Sequence, residues 1–502
     1  MNVLLIYPHW PDTYWSFRYA LPFQGKRAAY APLGLLTVAA MLPKHWSKRL
    51  VDSSVRAVSD TDLRWADVAM VSGMLVHEHE IVDILRRCRL FGLPTVVGGP
   101  ITSSIDLRDH ADCVVIGESE EVMPQLVSNL EAGCERAVYR GTQLPALDKT
   151  PPPDLGLIRP RHYSTMAVQY SRGCPFKCEF CDIIEIYGRI PRTKPTAHII
   201  AELEQLYERQ WRGPVFFVDD NFIGNKRNVK QMLPVLAEWN VRHGHPFRFF
   251  TEASINMADD EELLTMMREA GFVSVFIGIE TPDEEGLRGA QKMQNTRRDM
   301  LDSIRAIQSY GIEVMAGFIV GFDTDKEDIF DRQVDFIQQG AIPLAMVGLL
   351  QALPNTQLYR RLVSEGRLLE YGDGDSMCTE LNFVPRMDPK RLVEGYRSIL
   401  KRIYNQDAYY DRVREFLRRY QPAHEGTLRW EDYLTLVRSM IRQGLFTSGR
   451  RRYWQLFFET LANNSKAFGT AISLAIMGYH FEKITRRVCA DQSNGLGSPF
   501  ET

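Results

Sequence analysis

Residues 171–189 read SRGCPFKCEFCDIIEIYGR and place Cys174, Cys178 and Cys181 within eight positions. A strand predicted over 167–170 ends just before them, and the glycine and proline beside the first cysteine favour a loop. Three thiols on one loop are expected to converge on one metal centre, because they cannot easily pair with one another and a cytosolic chain keeps them reduced. The spacing therefore predicts a metal site at the carboxyl end of a strand.

The residues alone leave three interpretations of this cysteine loop. Structural zinc sites usually combine paired C-x2-C halves or a fourth nearby Cys or His, which this stretch lacks. Iron–sulfur clusters accept closely spaced thiolates, and three ligands on a four-iron cluster leave one iron open, which indicates catalysis more than electron storage. Chance clustering of core cysteines is the third interpretation, and the loop-forming residues weigh against it.

Strand and helix patterns alternate on the carboxyl side of the loop. Six β/α units in this span predict a full or partial barrel, whose chemistry is expected at the carboxyl ends of the strands. The predicted strands are 167–170, 215–218, 248–251, 273–279, 314–320 and 345–350.

The same alternation precedes the loop and predicts a doubly wound, Rossmann-like α/β domain over residues 1–141. Turn-forming residues follow its strands, at the carboxyl edge where such sheets bind ligands. This domain is therefore expected to hold a cofactor. Its five predicted strands are 3–7, 50–52, 67–72, 95–98 and 113–116.

Two further regions complete the predicted organisation. A proline-rich linker spans 142–165, because TPPPD and IRPRHY can continue neither a helix nor a central strand. The barrel then occupies 166–365. Strand signals fade afterwards, and 366–502 is predicted to be helical, with amphipathic patterns rich in arginine and aromatic residues.

One segment of the last region, Ala467–Tyr479, is uncharged and apolar over 13 residues. Runs of this length are usually buried core helices, which is the favoured interpretation. Basic residues before and after it leave open an interfacial helix that reaches a membrane.

Composition bounds the class of protein. The chain has 502 residues, enough for two or three domains, with 45% hydrophobic and 25% charged residues as in ordinary globular proteins. A net charge of -3 provides no basic field for nucleic acid. Eight cysteines are too few for a secreted disulfide framework, and no signal peptide or membrane span is recognised, so a cytoplasmic location is expected.

The C-x3-C-x2-C motif after the first strand of a partial barrel resembles that of the radical S-adenosylmethionine (SAM) superfamily. The resemblance implies that Cys174, Cys178 and Cys181 hold a 4Fe-4S cluster and that SAM chelates its open iron. Reduction of the cluster would then cleave SAM to a 5′-deoxyadenosyl radical, which abstracts hydrogen from unactivated carbon.

Acids at other strand ends fit the same resemblance. Asp219, Asp220 and Asn221 end the second barrel strand, where the superfamily contacts the methionine amine, usually through Gly-Gly-Glu. Glu252 and Glu280 follow the next two strands and are candidates for ribose or substrate contacts, since carboxylates accept hydrogen bonds from hydroxyl groups. The alternative for each acid is a solvated strand end or an ion-pair partner.

An α/β domain ahead of such a barrel resembles the cobalamin-binding class of the superfamily. A nicotinamide-type G-x-G-x-x-G is absent. The Asp-x-His-x-x-Gly signature that supplies a histidine to cobalt in other cobalamin proteins is also absent, so no protein ligand to cobalt is assigned. Met74 lies nearest to such a position, and His77 and His79 are expected at the exposed start of a helix. Small residues at the strand ends would allow close approach of a corrin. The candidate cobalamin contacts are Ser72, Gly73, Met74, Gly98, Gly99, Gly117 and Glu118.

Within that class the chain resembles the branch that contains the hopanoid C-2 methylase. The likeness spans nearly the full length, through GCPFKCEFCDIIEIYGRIPRTK, FVDDNFIGN, IGIETPD and LLQALPNT. It implies a cobalamin-dependent methyltransferase acting on an unactivated carbon of a hopanoid, isoprenoid or other lipid. It also implies an electron donor such as a flavodoxin or ferredoxin and, through the C-terminal helices, peripheral contact with the inner face of the membrane. The segment 182–192 departs from the branch towards a broader bacterial set, which makes the class firmer than the substrate.

Three other functions remain open at this point. A cobalamin-dependent radical enzyme could form or rearrange carbon–carbon bonds without transferring a methyl group. A non-catalytic sensor could bind the same cofactors. A methylthiotransferase should carry a second cysteine triplet, and Cys88, Cys113 and Cys134 are too widely spaced to form one.

Overall fold

The computed structural model describes residues 1–375, 377–422 and 429–490, whose strands form two parallel sheets and one short antiparallel pair. The strands are β1 (Asn2–Tyr7), β2 (Ala28–Tyr30), β3 (Ser47–Asp52), β4 (Val68–Ser72), β5 (Thr95–Gly98), β6 (Cys113–Ile116), β7 (Ala137–Arg140), β8 (Tyr163–Val168), β9 (Ser171–Arg172), β10 (Arg192–Thr193), β11 (Pro214–Phe217), β12 (Arg248–Ala253), β13 (Phe272–Glu280), β14 (Glu313–Val320) and β15 (Ala345–Leu349).

The helices fall between these strands and continue after the last one. They are α1 (Leu21–Gln24), α2 (Leu33–Met41), α3 (Asp60–Trp65), α4 (Glu78–Leu90), α5 (Ile101–Ser104), α6 (Met123–Ala132), α7 (Ile183–Ile186), α8 (Thr196–Glu208), α9 (Lys226–Arg242), α10 (Glu261–Ala270), α11 (Glu284–Gly289), α12 (Met300–Ser309), α13 (Ile329–Gln339), α14 (Gln357–Ser364), α15 (Pro389–Ile403), α16 (Gln406–Arg419), α17 (Trp430–Gly444), α18 (Arg450–Asn463) and α19 (Phe468–Ala490).

The first sheet is the predicted doubly wound α/β unit. Its strand order is β3-β1-β4-β5-β6-β7, and every neighbouring pair is parallel. The four central residues of β1 are buried, as expected for a strand covered on both faces by helices. The sheet has six strands where five were predicted, because β7 is a half-exposed edge strand without the apolar run that marks the others.

The second sheet is the predicted partial barrel. Its order is β15-β14-β13-β12-β11-β8-β2, so the six predicted strands are successive parallel neighbours. The seventh strand, β2, comes from the N-terminal region and pairs with β8. Three residues carry too little pattern to predict such a strand, yet β2 brings Tyr30 to the open side of the barrel.

The C-terminal helices pack on the barrel and on one another. Helix α15 contacts β15 and α13, while α19 contacts α15, α16, α17 and α18. The apolar segment Ala467–Tyr479 lies mostly in α19, where Ala471, Leu474 and Ala475 are buried. The packing-helix interpretation is therefore confirmed. Across 1–375, 377–422 and 429–490, no helix is long and apolar enough to cross a membrane.

Candidate active site

The cysteine loop is closed at its base by a short antiparallel pair. Strand β9 precedes the loop and β10 follows it, with Arg172 opposite Arg192. Gly173 has φ +95°, and a Cβ there would lie 2.9 Å from the carbonyl oxygen of Gly188, so the backbone crosses itself where only glycine fits. The Cys174 N–H donates to that same carbonyl at 3.2 Å. The loop is thus a fixed platform at the carboxyl end of β8.

Two amide side chains donate to the cysteine sulfurs. Asn221 Nδ2 lies 3.8 Å from Cys174 Sγ, and Gln294 Nε2 lies 3.6 Å from Cys178 Sγ. Donors to ligating sulfurs tune the potential of iron–sulfur clusters. Gln294 lies 116 residues after Cys178 and carries no local motif, so sequence reasoning missed it.

The cysteines do not converge on a single ion. Among the described residues, no three His, Cys, Asp or Glu side chains meet closely enough to hold one metal ion. A tetrahedral zinc site requires such convergence, whereas each cysteine of an iron–sulfur cluster ligates a different iron and the sulfurs stay further apart.

The two aspartates after β11 hold the backbone of the cysteine loop. Asp219 Oδ1 accepts the N–H groups of Tyr170 and Ser171 at 2.8 and 2.7 Å, and Asp220 accepts that of Gly173 at 2.8 Å. Burial raises the pKa of Asp219 to about 8, against the lowering effect of its two N–H donors. Both carboxylates face the loop backbone.

Glu252 has a different environment. It lies on β12, is half-buried, and has no hydrogen-bond or ion-pair partner among the described residues. Burial, together with the nearby charge of Asp220, raises its pKa to about 8. Burial also raises the pKa of the Tyr30 phenol on β2, and nearby Glu252 raises it further. Glu252 is thus an unpaired carboxyl that is protonated at neutral pH.

Glu280 forms an ion pair. It ends β13 at a register shift, its φ is +66°, and its carboxylate pairs with Lys292. A Cβ on Gly278 would lie 2.2 Å from the Glu280 carboxylate, so the bulge and that glycine together make room for the pair. The sequence left open a ribose or substrate contact, a solvated strand end or an ion-pair partner, and the structure shows Glu280 in an ion pair.

The carboxyl edge of the first sheet carries closely packed small residues. Gly99 has φ +88°, and a Cβ there would lie 2.4 Å from Ser72 Oγ and 2.9 Å from the Gly73 carbonyl oxygen. Gly117, at φ +80°, has open space where a side chain would be, and Gly98 has only Val115 nearby. Gly98 and Gly117 therefore present bare backbone at this edge, which suits a large flat ligand that approaches closely.

One histidine at this edge was predicted wrongly. His77 is buried at 2% exposure, not exposed, because its ring packs against Tyr7 and Trp10 and its Nδ1 accepts the Met74 N–H at 3.1 Å. His79 is exposed as expected, and Met74 is 38% exposed. The apolar surroundings lower the pKa of His77 to about 4, so it is neutral.

An ion-pair cluster joins this edge to the cysteine loop. Glu118, which follows β6 and whose side chain is 3% exposed, pairs with Arg172 and with Arg192, the latter at 2.5 Å. Arg172 also contacts Glu120 at 2.8 Å, and Arg192 donates to the Pro145 carbonyl at 2.6 Å. The two arginines flank the cysteine loop, so the first sheet and the loop are held together by buried charges. The sequence offered Glu118 only as a ligand contact and gave no sign of these arginines.

Comparison with known proteins identifies the family of this chain. The model of the radical SAM superfamily matches residues 168–337, which run from the last residue of β8 through β14 into α13. An uncharacterised methyltransferase of Synechocystis sp. is 41% identical over 98% of this chain and 94% of its own length. Hopanoid C-2 methylase of Rhodopseudomonas palustris is 39% identical over 85% of this chain and 80% of its own length.

The chain belongs to the radical SAM superfamily. Within it the chain is a member of the branch that contains the hopanoid C-2 methylase, as the motifs indicated. This radical SAM protein is therefore an enzyme of the methyltransferase group, and a 4Fe-4S cluster and SAM are the cofactors of its superfamily. A second family model, a domain of unknown function (DUF4070), matches residues 356–494.

A solved structure shares the whole architecture of this radical SAM enzyme. The radical SAM methyltransferase TsrM from Kitasatospora setae, solved with cobalamin and a [4Fe-4S] cluster, aligns with a TM-score of 0.61, covering 98% of this chain and 99% of TsrM. Their sequence identity is 15%, so the likeness establishes a common fold.

Proposed function

We propose that this enzyme is a cobalamin-dependent radical SAM methyltransferase that adds a methyl group to an unactivated carbon of a hopanoid or another isoprenoid lipid. One observation carries the proposal: the carboxyl edge of the first sheet is fixed against the cysteine loop through Glu118 and Arg172. Ligands held at that edge and in that loop would be neighbours. The 39% identity to a hopanoid C-2 methylase supports the substrate class.

The cluster site is proposed at Cys174, Cys178 and Cys181. Asn221 and Gln294 would donate to the ligating sulfurs, which favours the reduced, more negative state of a bound cluster. When bound, the cluster and SAM supply radical chemistry at carbon, and cobalamin supplies the methyl group.

The acids divide into positioning and binding roles. Asp219 and Asp220 are positioning residues, because their oxygens accept backbone N–H groups of the cysteine loop. Glu252 is the acid we assign to SAM or substrate, since its side chain has no partner within the described residues and can donate a hydrogen bond while it is protonated. Glu280 keeps Lys292 in place beside the cysteine loop, where its Nζ lies 5.8 Å from the centre of the Phe180 ring.

The corrin is proposed to lie along the carboxyl edge of the first sheet, over the bare backbone of the glycines there. Neutral, buried His77 supports this edge through the Met74 N–H, and we assign no protein ligand to cobalt. Glu118 contributes by fixing the edge against the cysteine loop. The proposed contacts are Ser72, Gly73, Met74, Gly98, Gly99 and Gly117.

The proposed partners follow from the chemistry. A small-molecule substrate is consistent with the methylase relatives. Cluster reduction requires an electron donor, for which a flavodoxin or ferredoxin is proposed. A lipid substrate makes peripheral contact with the inner face of the membrane part of the proposal.

Anaerobic reconstitution with iron, sulfide and cobalamin, followed by reduction in the presence of SAM and a hopanoid, tests the function. We expect bound cobalamin in the absorption spectrum and both 5′-deoxyadenosine and S-adenosylhomocysteine among the products. If 5′-deoxyadenosine appears without S-adenosylhomocysteine, a non-methylating radical enzyme replaces the proposal. If both cofactors bind and no SAM is consumed, the sensor replaces it.

A further inference from the structure

Helix α17 has one packed inner face and one exposed outer face that is apolar. Its inner face contacts α1, α18 and α19 and buries Ser439 and Gln443. Its outer face carries large side chains at intervals of three and four residues, which places them in one line along the helix. This outer stripe consists of Trp430, Tyr433, Val437, Ile441 and Leu445, which are 72%, 50%, 50%, 49% and 57% exposed.

The outer stripe continues onto α18 through Trp454. The Trp454 indole N–H donates to the Gly444 carbonyl at 3.0 Å, and its ring stacks on Phe458 with centroids 5.7 Å apart. Phe458 is 60% exposed, and Leu461 lies one turn further along the same helix at 50% exposure. Phe446, at 80% exposure, closes the gap between the helices.

This surface is the densest exposed apolar region of the described chain. Residues 430–461 hold eight of the twenty large hydrophobic side chains that are exposed. Contiguous exposed apolar patches mark interaction sites, whereas isolated ones need no explanation.

The charged residues near the outer stripe indicate the kind of partner that it binds. Between Arg429 and Lys466 the sequence has seven basic and three acidic residues, although the whole chain carries a net charge of -3. Asp432 pairs with Arg429 and Glu459 with Arg414, while Arg452 pairs with Asp407 and Asp411. Arg450 and Arg451 are exposed and form no ion pair within the described residues, and Arg450 lies one helical turn before Trp454. Aromatic and aliphatic residues with a basic border are typical of helices that lie in the interface of an anionic bilayer.

We propose that the outer stripe, with Phe446, Phe458 and Leu461, docks this enzyme onto an anionic lipid bilayer. The inserted face is formed by α17 and α18, while the apolar part of α19 supports them from inside the protein. This proposal rests on the proposed function and deepens it, because it locates the membrane contact. Membrane binding can be measured without turnover.

Co-sedimentation with vesicles of phosphatidylcholine, with and without 30% phosphatidylglycerol, tests the proposal. The variant Ile441→Ser/Leu445→Ser/Phe446→Ser should bind anionic vesicles at least tenfold more weakly. The intrinsic tryptophan fluorescence, to which Trp430 contributes, should shift to the blue only for the wild type. The control Leu90→Ser/Val235→Ser/Val241→Ser removes equally exposed apolar residues from α4 and α9 and should bind like the wild type.

Equal binding by the triple variant, or no binding of the wild type to anionic vesicles, would overturn the proposal. A wild-type dimer that the triple variant converts to a monomer, with vesicle binding unchanged, would assign the face to a second copy instead. Circular dichroism and Tm confirm that each variant is folded. Methylation of a detergent-solubilised substrate should be unchanged in the variant, so that loss of docking and failure of the proposed function remain distinguishable.

Discussion

The buried ion pairs between the first sheet and the cysteine loop lead to the sharpest prediction. Glu118→Gln keeps the shape and one acceptor but removes the charge that faces Arg172 and Arg192. The side chains of the two arginines are 12% and 16% exposed, so solvent compensates them poorly. Removing one partner of a buried pair costs roughly 3–5 kcal/mol, and the retained acceptor places the expected loss near 3 kcal/mol.

The assay measures both the Tm of the variant and the iron that it retains. We expect Tm to fall by about 5 °C, since each kcal/mol shifts Tm by a few degrees at most in a protein of this size. Iron retained after reconstitution should fall as well, because Arg172 lies two residues before Cys174. The exposed Glu131, which has no charged partner among the described residues, supplies the matched control Glu131→Gln. If Glu118→Gln matches that control in both Tm and iron content, the ion pairs do not hold the loop.

Three further predictions concern the cofactor sites and pH. Cys178→Ala should abolish the cluster signal in electron paramagnetic resonance and all SAM cleavage, and a full signal would contradict the cluster assignment. Gly99→Ala should lower the free energy of unfolding by about 1–3 kcal/mol and lower the cobalamin content several-fold. The control Gly92→Ala, also at positive φ but with open space around it, should leave cobalamin bound. Equal cobalamin binding by both variants would contradict a cobalamin site at this edge. Because folding raises the pKa of Glu252 to about 8, the folded protein keeps a proton that the unfolded chain releases, so stability should fall as pH rises from about 5 to 8. In Glu252→Gln, Tm should fall less over this pH range, and the difference from the wild type should correspond to up to about 3 kcal/mol of stability. An unchanged pH profile would show that Glu252 titrates normally.

The barrel could be predicted because each of its strands is a local signal. Runs such as 314–320 are apolar and long enough to identify a strand, and helices follow at regular intervals. The cysteine spacing is likewise local, since Cys174, Cys178 and Cys181 lie on one loop. Strand and helix patterns of this kind can be recognised in the sequence because the period of the element itself sets them.

The partners of the site residues could not be predicted, because they come from distant parts of the chain. Glu118 lies 54 residues before Arg172. Gln294 reaches Cys178 over 116 residues. Such pairs are fixed by tertiary packing, and neither member has a local pattern. Sequence reasoning therefore found acids at the strand ends without showing which pair with other parts of the protein and which, like Glu252, have no side-chain partner among the described residues.

His77 shows a similar limit. Its position at the start of a helix indicated exposure, but the aromatic rings that bury it, Tyr7 and Trp10, come from the end of a different strand. In a parallel sheet the carboxyl ends of distant strands meet at one edge. Burial at such an edge depends on what the neighbouring strands contribute.

Transfer of a labelled methyl group tests the central claim most directly. The reconstituted enzyme would be given SAM with a trideuterated methyl group, cobalamin, a reductant and a hopanoid, and the lipid would be analysed by mass spectrometry. We predict a methylated hopanoid that carries the deuterium label on a ring carbon, formed by the wild type and absent with Cys178→Ala. Substrate-dependent 5′-deoxyadenosine without label in the lipid would contradict methyl transfer and identify a different radical reaction.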